Sequence, residues 1–150
     1  MLILFATMTG NAEDAAEQIG KRLKKAGHEK VAVANIERHS PSSLAERNEP
    51  VLFVVSTWGD GEPPDEAIEF WEQLQTLQPG ALEGLLYAVY ALGDSSYDEF
   101  CGFGRKLDDE LDRKGAIRIA ARAECDCDHE EFIEEWSNDV HAALLDEFAA

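Results

Sequence analysis

Positive charge is what this sequence has least of. Its 150 residues carry 13 Lys and Arg against 31 Asp and Glu, a formal net charge of -18. A nucleic-acid binder needs a basic face, so that class is excluded. Anionic membrane surfaces are disfavoured on the same ground. Cysteine is scarce too: three residues, an odd count, do not make a disulfide framework. No apolar run approaches the roughly 20 residues that cross a bilayer. The first one, Leu2-Ile3-Leu4-Phe5-Ala6, is short and follows no basic segment, so a cytoplasmic protein without a signal peptide is expected. There is no internal repeat, low-complexity tract or linker.

What is present is the composition of a folded domain, 45% apolar and 29% charged. The length suits one domain over residues 1–150, with a core of ordinary size. The acidic excess has two readings. It steers the chain toward a basic macromolecular partner, or it simply solvates the surface.

Apolar runs alternate with amphipathic stretches. Strands are predicted over Leu2–Ala6, Val31–Ile36, Val51–Ser56, Leu86–Leu92 and Ile117–Ala123, rich in Val, Ile, Leu and Ala as strands buried on both faces are. Four helical stripes lie between and after them: Ala12, Ala16, Ile19, Leu23 and Ala26; Phe70, Leu74 and Leu77; Phe100, Phe103, Leu107 and Leu111; Phe132, Trp136, Val140 and Leu144. Ser96-Tyr97-Asp98-Glu99 reads as a capping box before the third helix, and Asp128-His129-Glu130-Glu131 as a variant before the fourth. Gly27 and Gly115 stand as helix stops, Pro63-Pro64 as a turn, and Ser43-Leu44-Ala45-Glu46 as one helical turn in the connection 37–50. Strand and helix in alternation imply a doubly wound α/β fold with a parallel sheet. Ligands of such sheets bind beyond the carboxyl ends of the strands, at the switch point. The loops after strands one, three and four are therefore the ones that matter.

The first loop, Thr7-Met8-Thr9-Gly10-Asn11-Ala12, has no Lys. A nucleotide-triphosphate loop needs a longer glycine-rich stretch ending in Lys-Ser/Thr, and a dinucleotide fingerprint needs three spaced glycines. Backbone N–H groups and hydroxyls leading into a helix can still bind an anion. The same residues also read as an ordinary helix cap. The second loop, Ser56-Thr57-Trp58-Gly59-Asp60-Gly61-Glu62, places an indole where a flat ligand would cover it; an exposed or core-packed Trp is the alternative. The third, Gly93-Asp94-Ser95-Ser96-Tyr97-Asp98-Glu99-Phe100-Cys101-Gly102, brings an acid, hydroxyls and a second aromatic to the same edge, although Asp94 and Ser96 read singly as turn and cap formers. Agreement among all three loops is what favours a ligand site.

These loops resemble the three flavin-binding loops of short-chain flavodoxins. They are also similar to the FMN domains of sulfite reductase flavoprotein and cytochrome P450 reductase. The resemblance covers essentially the whole chain and implies a five-stranded parallel sheet of order 2-1-3-4-5 with helices on both faces. It implies that Thr7, Thr9, Gly10, Asn11 and Ala12 bind the FMN phosphate, with Met8 acting through its N–H. Trp58 and Tyr97 would flank the two flavin faces. The Gly59-Asp60 peptide, next to Gly61, would meet flavin N5. Asp94 and the backbone near Cys101 would meet the pyrimidine edge, with Leu92, Gly93 and Phe100 around them, and Thr57 a ribityl or phosphate contact. Two departures stand out: Ala12 replaces a Thr common in the family, as in diflavin domains, and Pro63-Pro64 fits the diflavin-type second loop. A stand-alone monomeric relative of these domains, without a reductase domain after it, is expected.

Asp60, Glu62, Asp65, Asp94, Asp98 and Glu99 cluster by sequence around the expected ring, with no cation in the phosphate loop to offset them. Negative surroundings disfavour an anionic reduced flavin and so lower its last reduction step. Three functions follow. The first is a one-electron carrier between a basic-faced reductase and acceptor enzymes. The second is an FMN-dependent NAD(P)H:quinone reductase, for which the chain has no spare segment. The third is an interaction module that has lost flavin, against which Trp58, Tyr97 and the Thr-Gly loop argue. No acid–base constellation calls for substrate chemistry: His28, His39, His129 and His141 are scattered. Cys125-Asp126-Cys127-Asp128-His129 lacks a convincing set of metal ligands and reads better as strand-end cysteines with a cap. Cys101 reads as a small apolar filler rather than a reactive thiol.

Overall fold

The structure is a computed structural model, and it describes residues 1–7, 9–58, 61–94, 100–126 and 128–149, with side chains as far as Leu145. Its elements follow the alternation of the sequence. Strand β1 (Leu2–Ala6) leads to helix α1 (Asn11–Lys25), β2 (Ala32–Asn35), a short 3-10 turn (Ile36–Arg38) and α2 (Pro41–Glu46). Then come β3 (Val51–Ser56), a second 3-10 turn (Asp65–Ala67), α3 (Ile68–Thr76), β4 (Leu86–Leu92), α4 (Gly102–Arg113), β5 (Ile117–Arg118), β6 (Ala123–Cys125) and α5 (Ile133–Ala149). All strand pairs are parallel, in the order β2-β1-β3-β4-β5, with β6 also pairing with β4.

Strands β1 and β3 and nearly all of β4 are buried on both faces, which explains their continuous apolar runs. One face packs on α3 and α4 through Phe53, Phe70, Tyr87, Phe103, Leu107 and Leu111. The other packs on α1 and α5 through Ile3, Ala16, Ile19, Tyr90, Trp136 and Val140. The helical stripes read from sequence face these two layers, except that Ala26 is exposed at the end of α1. Gly27 and Gly115 take positive φ (112° and 98°) just past α1 and α4, as helix stops do. The Asp128 carboxylate accepts the Glu130 N–H at 2.9 Å, while regular helix begins only at Ile133. The box at Ser96–Glu99 lies outside the described residues.

The expected fifth strand is divided. Ile117 and Arg118 pair with Leu86 and Tyr87; after a break, Ala123–Cys125 pairs with Tyr90–Leu92. A group of ion pairs spans the break. Asp108 of α4, only 1% exposed, receives Arg118 Nε at 2.8 Å, Arg122 Nη1 at 2.6 Å and the Tyr87 hydroxyl at 2.6 Å. Glu124 receives Arg105 Nη2 at 2.8 Å and Arg122 Nε at 3.0 Å. Burial and the Asp108 carboxylate push the Tyr87 phenol well above its usual range. Helix α4 also lies close to β4, because a Cβ on Gly104 would come within 2.4 Å of the Ala91 Cβ. Replacing Asp108 by Ala leaves two arginines without their buried acceptor. We expect a loss of about 2–4 kcal/mol of stability, read as a lower urea midpoint with an unchanged slope.

Candidate functional site

The strand register sets the geometry of the carboxyl edge. Ala6 lies opposite Val55, and Ser56 opposite Leu92, so the chain leaves β1, β3 and β4 at nearly one level. Helix α1 departs to one face and α3 to the other, which opens a crevice between β1 and β3.

In the first loop, Gly10 takes φ 92° and is the cap position of α1, with no side chain capping the helix. The Thr7 hydroxyl accepts the Gly10 N–H at 2.7 Å, so it braces the loop rather than the helix. The first intrahelical bond runs from Asp14 N–H to Gly10 carbonyl O (3.0 Å). The N–H groups of Asn11, Ala12 and Glu13 lie ahead of it and have no intrahelical acceptor. Thr9 and Asn11 are exposed and Ala12 is buried. The helix-cap reading of this loop therefore gives way to an open helix end. A feature that spacing could not show is Glu66, whose Oε2 accepts the Thr7 N–H at 3.0 Å from the 3-10 turn before α3. Met8 lies outside the described residues.

The second loop is clasped at its base. Trp58 and Glu62 exchange both backbone hydrogen bonds, at 2.7 and 2.8 Å. Gly61 takes φ 91°. The Lys106 ammonium of α4 donates to the Gly61 carbonyl at 3.2 Å. A cation thus stands beside this loop, where the sequence reading had placed only acids. The Trp58 side chain is 57% exposed, so it is not a core residue. Thr57 ties this loop to its neighbours: its N–H donates to the Leu92 carbonyl (3.1 Å) and its hydroxyl accepts the Phe103 N–H (3.1 Å). Gly59 and Asp60 lie outside the described residues.

The third loop starts at a close contact. A Cβ on Gly93 would come within 2.7 Å of the Cys101 N, so only glycine fits. The Gly93 N–H donates to the Cys125 carbonyl at 2.9 Å, which anchors the loop to β6. Cys101 itself holds φ 54°, fully buried, with its thiol 3.7 Å from the same carbonyl. Burial, then the nearby Glu124 carboxylate, pushes that thiol up to about 12, so it is a filler and not a nucleophile at neutral pH. Leu92 is buried, Asp94 and Phe100 are half-buried, and Phe100 packs against the α3–α4 core. Tyr97 lies outside the described residues.

The histidines are less scattered than their positions in sequence. His28 Nε2 and His141 Nδ1 lie 2.8 Å apart, joining the end of α1 to α5. His129 Nε2 lies 2.8 Å from the Asp14 carboxylate. His129 and the Gln18 amide hold that carboxyl below its usual range. In the Cys125–His129 segment, the Cys125 thiol is buried and pushed up chiefly by desolvation. Cys127 lies outside the described residues.

An uncapped helix end, a wet indole and a loop held by glycine all stand at the carboxyl edge of the sheet. That donor set suits an organic phosphate ester carrying a flat ring, and the fold is that of the flavin carriers. A family model described as Flavodoxin matches residues 3–136. The chain belongs to the flavodoxin family. Its cofactor is FMN, and electron transfer is the work of the family. The chain is 41% identical over 142 residues to the sulfite reductase [NADPH] flavoprotein alpha-component of Bacillus subtilis (strain 168), covering 95% of this chain and 23% of that protein. It is 40% identical over 136 residues to the component of that name from Vibrio parahaemolyticus, covering 91% and 22%. The chain thus spans about a quarter of the length of these curated relatives. A solved flavodoxin of Streptococcus pneumonia TIGR4 matches with a TM-score of 0.83 and 32% identity, covering 97% of each chain. A short-chain flavodoxin associated with a bacterial microcompartment matches at 0.82 and 26%, covering 97% of this chain and 96% of that one.

Gly93→Ala tests the third loop. The added methyl has backbone in its way, so we expect about 1–3 kcal/mol of destabilisation and an FMN affinity lowered at least on the order of tenfold. Thermal melting and fluorescence titration with FMN measure the two.

Proposed function

We propose that residues 1–150 form one FMN-binding domain that works as a one-electron carrier, reduced by a flavoprotein reductase and oxidised by acceptor redox enzymes. The observation that carries this reading is the pairing, at one sheet edge, of the uncapped end of α1 with the exposed Trp58. Bound FMN supplies the redox chemistry, and the protein supplies binding and electrostatics.

In this reading the N–H groups of residues 8, 9, 11 and 12, presented by the turn at Gly10, hold the phosphate with the Thr7 and Thr9 hydroxyls and without a cation. Trp58 covers one face of the ring and excludes water from it; Tyr97 takes the other. Thr57, Gly59, Asp60 and Gly61 border the ring from the second loop, and Leu92, Gly93, Asp94, Phe100 and Cys101 from the third. The exposed acids Glu62 and Asp65 keep the surroundings negative, and Lys106 offsets part of that field. The net charge of -18 favours a basic docking face on the partners, through long-range attraction. A monomer in the cytoplasm belongs to the same proposal. Among the described residues no helix is long and apolar enough to cross a membrane.

The visible spectrum of the FMN-loaded protein during anaerobic stepwise reduction tests the carrier role. Two resolved one-electron stages are expected. A single two-electron stage, with rapid NAD(P)H oxidation in the absence of any reductase, would instead indicate a reductase. Thr9→Val tests the phosphate assignment. It should weaken FMN on the order of tenfold, since a hydrogen bond to a charged group is lost, while riboflavin binding stays within twofold. Equal losses for both ligands would refute the role of Thr9.

A further inference from the structure

We propose that Glu66 is the positioning residue of the phosphate loop, and that its charge sets how tightly the loop takes a phosphate ester. The proposal rests on the reading of residues 7–12 as a phosphate loop and goes beyond it.

The geometry forms a relay. Pro64 accepts the Ala67 N–H at 2.8 Å, which closes the 3-10 turn Asp65–Ala67 and fixes where Glu66 stands. Glu66 Oε2 receives the Thr7 N–H at 3.0 Å. The Thr7 hydroxyl receives the Gly10 N–H at 2.7 Å, and the Gly10 carbonyl receives the Asp14 N–H at 3.0 Å. One carboxylate therefore orients Thr7, Thr7 orients Gly10, and Gly10 orients the open end of α1. The contact links residues 59 apart in the chain and bridges the loops after β1 and β3.

The same carboxylate carries a penalty. Glu66 is half-buried and lines a recess of about 450 Å³ beside the loop. Glu13 and Glu17 face that recess from α1, and Glu37 and Arg38 from the turn after β2. Four carboxylates meet one guanidinium there, so the field of Glu66 is poorly compensated. A phosphate dianion entering the adjacent loop is repelled by it, while the hydrogen bond to Thr7 holds the loop ready. Glu66 is both a brace and a brake.

Two substitutions separate these roles. Glu66→Gln keeps an oxygen acceptor for Thr7 and removes the charge; Glu66→Ala removes both. Titration of the apoprotein with FMN and with riboflavin, followed by flavin fluorescence at low and high salt, reads the outcome. Glu66→Gln should tighten FMN on the order of fivefold and leave riboflavin unchanged, with the gain shrinking in salt. Glu66→Ala should bind FMN more weakly than Glu66→Gln does. It should also speed hydrogen exchange at the Thr7 amide, which Glu66→Gln keeps protected. A wild-type preference for FMN that stays the same in Glu66→Gln overturns the proposal while leaving the loop assignment intact. Equal wild-type affinity for FMN and riboflavin overturns the loop assignment and this proposal together.

Discussion

The buried Asp108 carboxylate is the interaction on which the far edge of the sheet depends. Strands β5 and β6 offer two and three rungs of pairing to β4, too few to hold an edge by hydrogen bonds alone. Arg118 and Arg122 reach into α4 from either side of the break and meet at one carboxylate. Arg122 and Arg105 then share Glu124 on β6 itself. With β6 held, the Cys125 carbonyl stands where Gly93 and Cys101 need it. The third loop is thus anchored to a strand that an ion-pair network ties to α4.

Much of this was legible in the sequence because burial leaves a pattern. Val51–Ser56 and Leu86–Leu92 are found with the bounds their apolar runs suggested, since both faces of these strands are covered. The strand expected over 117–123 is divided for a physical reason. Its Ile and Ala residues read as a continuous run, while Arg118 and Arg122 are drawn off toward Asp108, a partner that sits on the polar side of the α4 pattern. Strand β2 is shorter than its run because Ile36 turns into a 3-10 segment, capped by Asn35 accepting the Glu37 N–H.

At the site, motif spacing located the three loops but not what braces them. The contacts from Glu66 to Thr7 and from Lys106 to Gly61 join residues 59 and 45 apart, and no local spacing encodes either. Glu66 lies in the 3-10 turn before α3, and Lys106 lies in α4. They have opposite charge and act on different loops, so the electrostatics of the edge are more balanced than the net charge suggests. The acidic excess of the whole chain and the field at the crevice are separate quantities, because screening leaves only near charges to act on a bound ligand.

The three tryptophans occupy three different dielectric settings. Trp136 is buried beside Tyr90, with ring centroids 5.3 Å apart. Trp71 meets Phe103 edge-on and is half-buried. Trp58 alone among them is largely in water. Their emission is therefore separable by wavelength: two blue-shifted components from the core and one red-shifted component from the crevice. The red edge of the fluorescence therefore reports on the second loop, and the blue components report on the packing of the two core layers.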